Sequence, residues 1–311
     1  MKTPLLSICL ITYNHEKFIR QAIEGVLIQK VDFDWELIIA DDCSTDRTKE
    51  IILEYKEKHP DFIKLILQEK NGGAAKNWMD LITTPKSKYI AYFEGDDYWS
   101  DPLKLQKQID FLEQNEEYNI VWTKFNKINA TGDLLESNMP QFEKKLEDVT
   151  IENFFENYRT WTLTCLFRTK IIKKYDLKSL KYSKDNSLYF LALKNSMGRV
   201  LDFNSACYRI HENGVWSSNS ELEKSMSNFF NFDEIRKKIV NDKSIDIYLE
   251  SNLIDIVNKI KVSKLVETKV YRKVFLSVMI NLKWKWKLIF LKMYFIAISS
   301  NLFFIKTNNN K

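Results

Sequence analysis

The sequence predicts an α/β protein: a mainly parallel sheet flanked by helices, followed by a C-terminal helical extension. Three observations carry that expectation. Short apolar runs alternate with helix-period segments through the first hundred residues. Polar residues gather directly after each apolar run. The last fifty residues change character, with basic residues displacing acids.

The first apolar run, Leu5 to Thr12, leads into Tyr13-Asn14-His15-Glu16. Phe18, Ile19, Ala22, Ile23, Val26 and Leu27 then recur on one face of a helix. A second run, Trp35 to Ala40, ends in Asp41-Asp42-Cys43-Ser44, and Ile51, Ile52 and Tyr55 mark the next helix. A third, Phe62 to Leu67, precedes Asn71-Gly72-Gly73 and a short helix over 74–83. The fourth, Tyr89 to Phe93, ends in Glu94-Gly95-Asp96-Asp97. In open parallel sheets ligands bind beyond the carboxyl ends of the strands, so these four polar clusters define one candidate site.

The acidic cluster is the sharpest signal. Carboxylates two apart on an extended chain point the same way, roughly 7 Å apart. At an effective dielectric near 20 they repel by about 2 kcal/mol unless a cation lies between them. Mg²⁺ and Mn²⁺ prefer such oxygen ligands, with substrate phosphates completing the shell. The plainer alternative is a solvated acidic turn capping the following helix.

The blocks SICLITYNHEKFI, LIIADDCSTDRT, NGGAAKNW and YIAYFEGDDYWSDPLKLQKQ, with the later YRIHENGVWS, resemble the glycosyltransferases of family 2. The resemblance spans about residues 5–220 and implies the GT-A fold and inverting transfer of a sugar from a nucleotide diphosphate to a hydroxyl. It implies that Thr12, Tyr13, Asn14, Glu16, Asn71 and Lys76 belong to the nucleotide-sugar site. On the same analogy Asp42 receives the base, Asp96 lies near the ribose and Asp97 holds a divalent Mn²⁺ or Mg²⁺, with Glu94 and His211 as further candidate ligands. Two departures stand out: Glu94 occupies a position where aspartate is common, and Lys76 one where arginine is frequent. The lysine would meet phosphate as a point charge rather than as a fork.

Inverting transfer needs a general base on the acceptor side. Asp185 opens the helical pattern Leu188, Leu191, Ala192 and Leu193, and it is either that base or simply a helix cap. Asp176 and Asp202 are weaker candidates, and Trp161-Thr162-Leu163-Thr164 reads as a strand near the acceptor. Arg209 either meets phosphate or pairs with an acid. His211, taken alone, reads more simply as a structural hydrogen-bonding residue.

Composition fits a packed globular chain, 45% hydrophobic with only seven glycines among 311 residues. Four cysteines without CxxC spacing read as reduced thiols, and the short first apolar run is unlike a signal peptide, so a cytoplasmic location is expected. Residues 259–311 hold twelve Lys or Arg against Glu267 alone, a net of +11 in a chain of +5, which leaves residues 1–258 at −6. An apolar stripe from Val270 to Leu282, then Lys283-Trp284-Lys285-Trp286-Lys287, reads as an amphipathic helix on an anionic membrane surface. A helical pair packed on the rest of the protein is the alternative, and an acidic main body argues against nucleic-acid binding.

These readings divide the chain into a catalytic domain at 1–220, with a nucleotide-sugar half at 1–115 and an acceptor half at 116–220, and a basic helical tail at 221–311. The expected function is transfer to a glycan or lipid-linked acceptor in cell-surface polysaccharide synthesis, peripheral at the inner face of the membrane. A non-catalytic nucleotide-sugar-binding subunit is the alternative from another class. A nucleotidyltransferase fits less well, because no glycine- and arginine-rich loop opens the chain.

Overall fold

The computed structural model describes residues 3–135, 148–154, 161–182, 184–212, 214, 220–239 and 242–262, with 284, 287, 288 and 291. The chain separates into two compact units, residues 1–214 and 215–311.

The first unit opens with β1 (Leu6–Thr12), α1 (Ile19–Leu27), β2 (Trp35–Asp41), α2 (Thr48–Lys58), β3 (Ile63–Leu67), α3 (Ala74–Thr83) and β4 (Tyr89–Glu94). The pairings β1–β2, β1–β4 and β2–β3 are parallel, as the alternating pattern requires. β1 is buried along nearly its whole length, which is why it reads as an unbroken apolar run rather than an alternating one. The α1 stripe buries Ile19, Ala22, Ile23 and Val26. Gly25 lets this helix lie directly on β5 (Tyr98–Trp99): a Cβ there would stand 2.8 Å from the Trp99 backbone.

After α4 (Lys104–Gln114) come β6 (Tyr118–Ile128), β7 (Leu166–Arg168), α5 (Lys170–Lys174), α6 (Asp185–Leu193) and β8 (Met197–Arg209). The eight strands among the described residues form one sheet in the order β3-β2-β1-β4-β7-β6-β8-β5. β7 is antiparallel to both β4 and β6, and β5 to β8, so the second half of the sheet is mixed. β7 thus links the parallel half to the β6–β8 pair and brings the end of β8 back to the acidic turn after β4.

Residues 162–164, expected as strand, form a 3-10 turn. The Cys165 amide closes on the Thr162 carbonyl at 3.1 Å and the Thr164 amide on that of Trp161 at 3.2 Å, so extended structure begins only at Leu166.

The second unit contains α7 (Glu221–Lys238) and α8 (Lys243–Val262). Ser220 and Glu223 form a capping box at the start of α7. The buried Arg236 guanidinium joins Asp233 at 2.5 Å to Asp246 at 3.0 Å, tying one helix to the other. The stripe 270–282 lies outside the described residues. Of the tail, Trp284 is described as 73% exposed. Among the described residues no helix is long and apolar enough to cross a membrane.

Candidate active site

The donor edge is built from loops that lock onto one another. After β1 the chain turns through Asn14, which has a φ of 54°, and after β2 through Cys43 with a φ of 60°. The Asn14 amide donates to Ser44 Oγ at 2.9 Å, and its side-chain Oδ1 accepts from the Thr45 amide at 2.8 Å. Glu16 donates through its amide to Asp46 and accepts the Arg47 amide at 3.0 Å. Asn14 and Glu16 therefore hold two loops together. Asp42 is buried, and its two carboxylate oxygens accept the Gly72 and Gly73 amides at 2.8 Å each. Asn71 accepts from the same Gly73 amide at 3.2 Å.

Tyr13 is exposed beside this edge, whereas Thr12 is buried with no hydrogen-bond partner for its hydroxyl among the described residues. Lys76 engages Asp80 at 2.6 Å and Gln68 at 3.2 Å, and its hydrogen bond holds the Asp80 carboxyl below the usual range.

The acidic turn sits against this edge. Gly95 donates its amide to the Ile11 carbonyl at 2.9 Å, and a Cβ at Gly95 would stand 2.9 Å from Thr12 Oγ1. Neighbouring acids on the turn face different surroundings. Asp96 accepts from His211 Nε2 at 3.0 Å and lies 3.8 Å from His15 Nε2. Desolvation opposes its charged form, but the His211 hydrogen bond and both imidazoles hold its carboxyl below the ordinary range. Asp97 is buried and accepts the Arg209 amide at 2.8 Å. Burial pushes its carboxyl well up, as do Asp96 and Glu94. Glu94 is raised too, by desolvation and then by Asp96 and Asp185.

Arg209 is a clamp for this turn. Its guanidinium donates to the Asp96 carbonyl at 3.0 Å, to the Asn129 and Ala130 carbonyls at 3.3 and 3.2 Å, and to Gln21 at 2.6 Å, and lies 4.7 Å from the Phe18 ring centre. Among the described residues these guanidinium contacts go to backbone carbonyls, one side-chain amide and a ring.

On the acceptor side, Asp185 is the first residue of α6, with Lys184 in the cap position. One carboxylate oxygen accepts the Asn186 amide at 2.8 Å and the other the Thr162 hydroxyl at 3.0 Å. Asp202 is paired with Lys124. Trp161 packs at 4.7 Å on Tyr208, whose phenol is raised by burial and by Asp97, Glu94 and Asp96, so this aromatic pair borders the acidic turn.

The sequence reading did not single out His15 or Thr162. His15 stands in the polar cluster after β1, which is signal enough for the site but not for a partner in Asp96. Among the described residues no group of three or more His, Cys, Asp or Glu forms a ready metal cage. Asp96 with His211 nevertheless suits a divalent ion that takes its other ligands from phosphate. Glu94 and Asp97 are raised by burial first and then by their acidic neighbours, surroundings in which a nearby cation would favour the charged carboxylates.

Sheet, flanking helices and site edge define an α/β fold of GT-A type. The sequence profile described as glycosyl transferase family 2 matches residues 7–181, more than half of the chain, and the chain belongs to that family. It is 32% identical over 216 residues to an uncharacterised protein of Mycobacterium tuberculosis, covering 68% of this chain and 61% of that one. The chain thus spans about 61% of the length of its first curated relatives. A putative teichuronic acid biosynthesis glycosyltransferase of Bacillus subtilis is 26% identical over 235 residues, 75% of this chain and 89% of the relative. Among solved structures, a mannosyltransferase of Pyrobaculum calidifontis in complex with GDP-mannose and Mn²⁺ superposes with a TM-score of 0.58. It is 12% identical, with 97% of this chain and 88% of that one covered, and shares the fold.

Proposed function

We propose that this protein transfers a sugar, with inversion, from a nucleotide diphosphate donor to a hydroxyl of a glycan or lipid-linked acceptor in polysaccharide synthesis. The observation that carries the reading is the acidic turn itself. Its Asp96 faces two imidazoles, while Glu94 feels Asp185 from the acceptor side. Donor and base chemistry therefore meet at the end of one strand.

In this reading Thr12, Tyr13 and Asn71 border the nucleotide, and Asp42 is held ready for the base by two backbone amides. Asn14 and Glu16 shape the loops, and Lys76, engaged with Asp80 and Gln68, keeps a third N–H that could meet phosphate. Asp96 and His211 hold the divalent ion, with Glu94 nearby. Asp97, expected from the resemblance to hold it, anchors the turn to β8. When bound, the ion neutralises charge growing on the leaving diphosphate.

The acceptor oxygen attacks the anomeric carbon as the bond from that carbon to the diphosphate oxygen breaks. Asp185 takes the acceptor proton, and the nucleoside diphosphate departs. The teichuronic acid relative supports a polysaccharide product, and the mannosyltransferase complex supports a nucleotide-sugar donor and a divalent ion.

Residues 1–220 are read as the catalytic domain and 221–311 as a basic tail that attaches to the inner face of the membrane. Each Lys or Arg near an anionic surface contributes about 1 kcal/mol. Truncation after Val262 should release the protein from anionic vesicles while nucleotide-sugar binding persists; equal co-sedimentation of both forms contradicts the membrane role. The catalytic reading is tested by screening UDP- and GDP-linked sugars with and without Mn²⁺. A Mn²⁺-dependent thermal shift and slow donor hydrolysis are expected, and a protein that binds donors but never turns them over is a binding subunit instead.

A further inference from the structure

We infer that Thr162 is a positioning residue for Asp185, and that the buried Trp99, Lys104 and Gln108 exist to hold Thr162 in place. This rests on the reading of Asp185 as the general base.

The Thr162 hydroxyl is buried between the two halves of the site. It donates to one oxygen of Asp185 at 3.0 Å. A hydroxyl has one proton to give, so its donation to Asp185 fixes which carboxylate oxygen is engaged. The Asn186 amide engages the other. Each oxygen keeps a further lone pair, so the carboxylate is held by two donors yet remains able to accept a proton.

Thr162 is aimed by the turn that carries it. The Leu163 carbonyl accepts the Trp99 indole N–H at 2.8 Å, and the Thr164 carbonyl accepts the Gln108 side-chain amide at 2.8 Å. Both donors come from the segment directly after the acidic turn. Lys104 meets the other end of Gln108. Its ammonium, fully buried, donates to Gln108 Oε1 at 2.6 Å and lies 4.2 Å from the Trp99 ring centre. The Gln108 NH₂ is given to the Thr164 carbonyl, so its oxygen faces Lys104, which can donate to it as amine or ammonium. A buried cation partnered by an amide and a ring is a costly way to fill a core, since apolar replacements are often neutral or stabilising. It is a direct way to fix an amide, and through it the turn that orients Asp185.

The test is a set of variants assayed with the nucleotide sugar selected by the donor screen, reading kcat and KM for hydrolysis. Thr162→Val keeps shape and removes the hydroxyl; kcat should fall about 10- to 100-fold, the scale of a misplaced catalytic group, with KM for the donor unchanged. Thr162→Ser should retain most of kcat. The double variant Lys104→Met/Gln108→Met leaves Thr162 intact and should lower kcat in the same selective way, with folding checked by thermal unfolding. Wild-type kcat in both Thr162→Val and the double variant, or losses that appear in KM alone, would overturn the inference. Asp185→Asn, run in parallel, separates the two claims. If it is inactive while Thr162→Val turns over normally, the positioning role alone fails; if it is fully active, the reading of Asp185 as base fails.

Discussion

The donor edge and the acceptor side of this sheet are held together in different ways. At the donor edge, every loop is tied to the next by backbone amides on short side chains: Asn14 to Ser44 and Thr45, Glu16 to Asp46 and Arg47, Asp42 to Gly72 and Gly73. These bonds join loops at the ends of adjacent parallel strands, so they follow from the strand order itself. On the acceptor side, Asp185 is held by the Asn186 amide and by one hydroxyl from a turn that is fixed by side chains 64 and 56 residues away in sequence. The first region is a frame of reciprocal bonds between neighbouring loops. The second is a chain of single contacts.

That difference ranks the expected effects. The largest belongs to Asp185→Asn, which keeps the hydrogen bond to Thr162 as an acceptor but cannot take a proton. Turnover should fall about 10²–10⁴-fold with donor affinity unchanged, measured by initial rates and by calorimetric titration of the donor. A loss confined to thermal stability would instead make Asp185 a helix-end residue.

Asp96→Asn comes next. Removing the one carboxylate that faces both imidazoles should lower turnover roughly 10²–10³-fold, the range seen when a preorganised electrostatic group is lost. Mn²⁺ affinity of the protein with nucleoside diphosphate should weaken in step. Asp97→Asn still accepts the Arg209 amide through its carbonyl oxygen and should lose less activity. An Asp97 variant with the greater loss of Mn²⁺ binding would return the metal to Asp97.

The smallest effect concerns stability. Burial lowers the Lys104 ammonium to about 7, against about 10.4 in an unfolded chain. Between those values the unfolded chain binds a proton that the native one does not, so this residue makes stability rise with pH across the window. Below pH 7 the cost of burying the charge is paid in full. Lys104→Met should therefore gain on the wild type as pH falls from 10 to 7, by at most about 1.4 kcal/mol per pH unit, read from chemical unfolding. A difference between the two proteins that is flat with pH would mean that Lys104 keeps its proton in the native state as it does in the unfolded chain.

The contrast between the two regions also explains what was legible in the sequence. Unbroken apolar runs such as Leu6 to Thr12 announce buried parallel strands, and the polar residues after them mark the edge where ligands bind. Which of two adjacent acids faces outward is not written there, because neighbouring residues on a tight turn point apart and only the approach of β8, carrying Arg209 and His211, distinguishes Asp96 from Asp97. Thr162 was hidden for a related reason. Trp161-Thr162-Leu163-Thr164 has the composition of a strand, and the donors that bend it into a turn, Trp99 and Gln108, come from far away. The tail's amphipathic stripe was read from spacing alone, and 270–282 fall outside the described residues.

The central claim, that the acidic turn and Asp185 act together in inverting sugar transfer, is tested most directly by the products of donor turnover. Proton and phosphorus NMR of the wild-type reaction identify both the leaving group and the anomer of the released or transferred sugar. The account predicts a nucleoside diphosphate and a sugar of inverted configuration, both absent with Asp185→Asn. Retention of configuration, or release of a nucleoside monophosphate with a sugar phosphate, would contradict it.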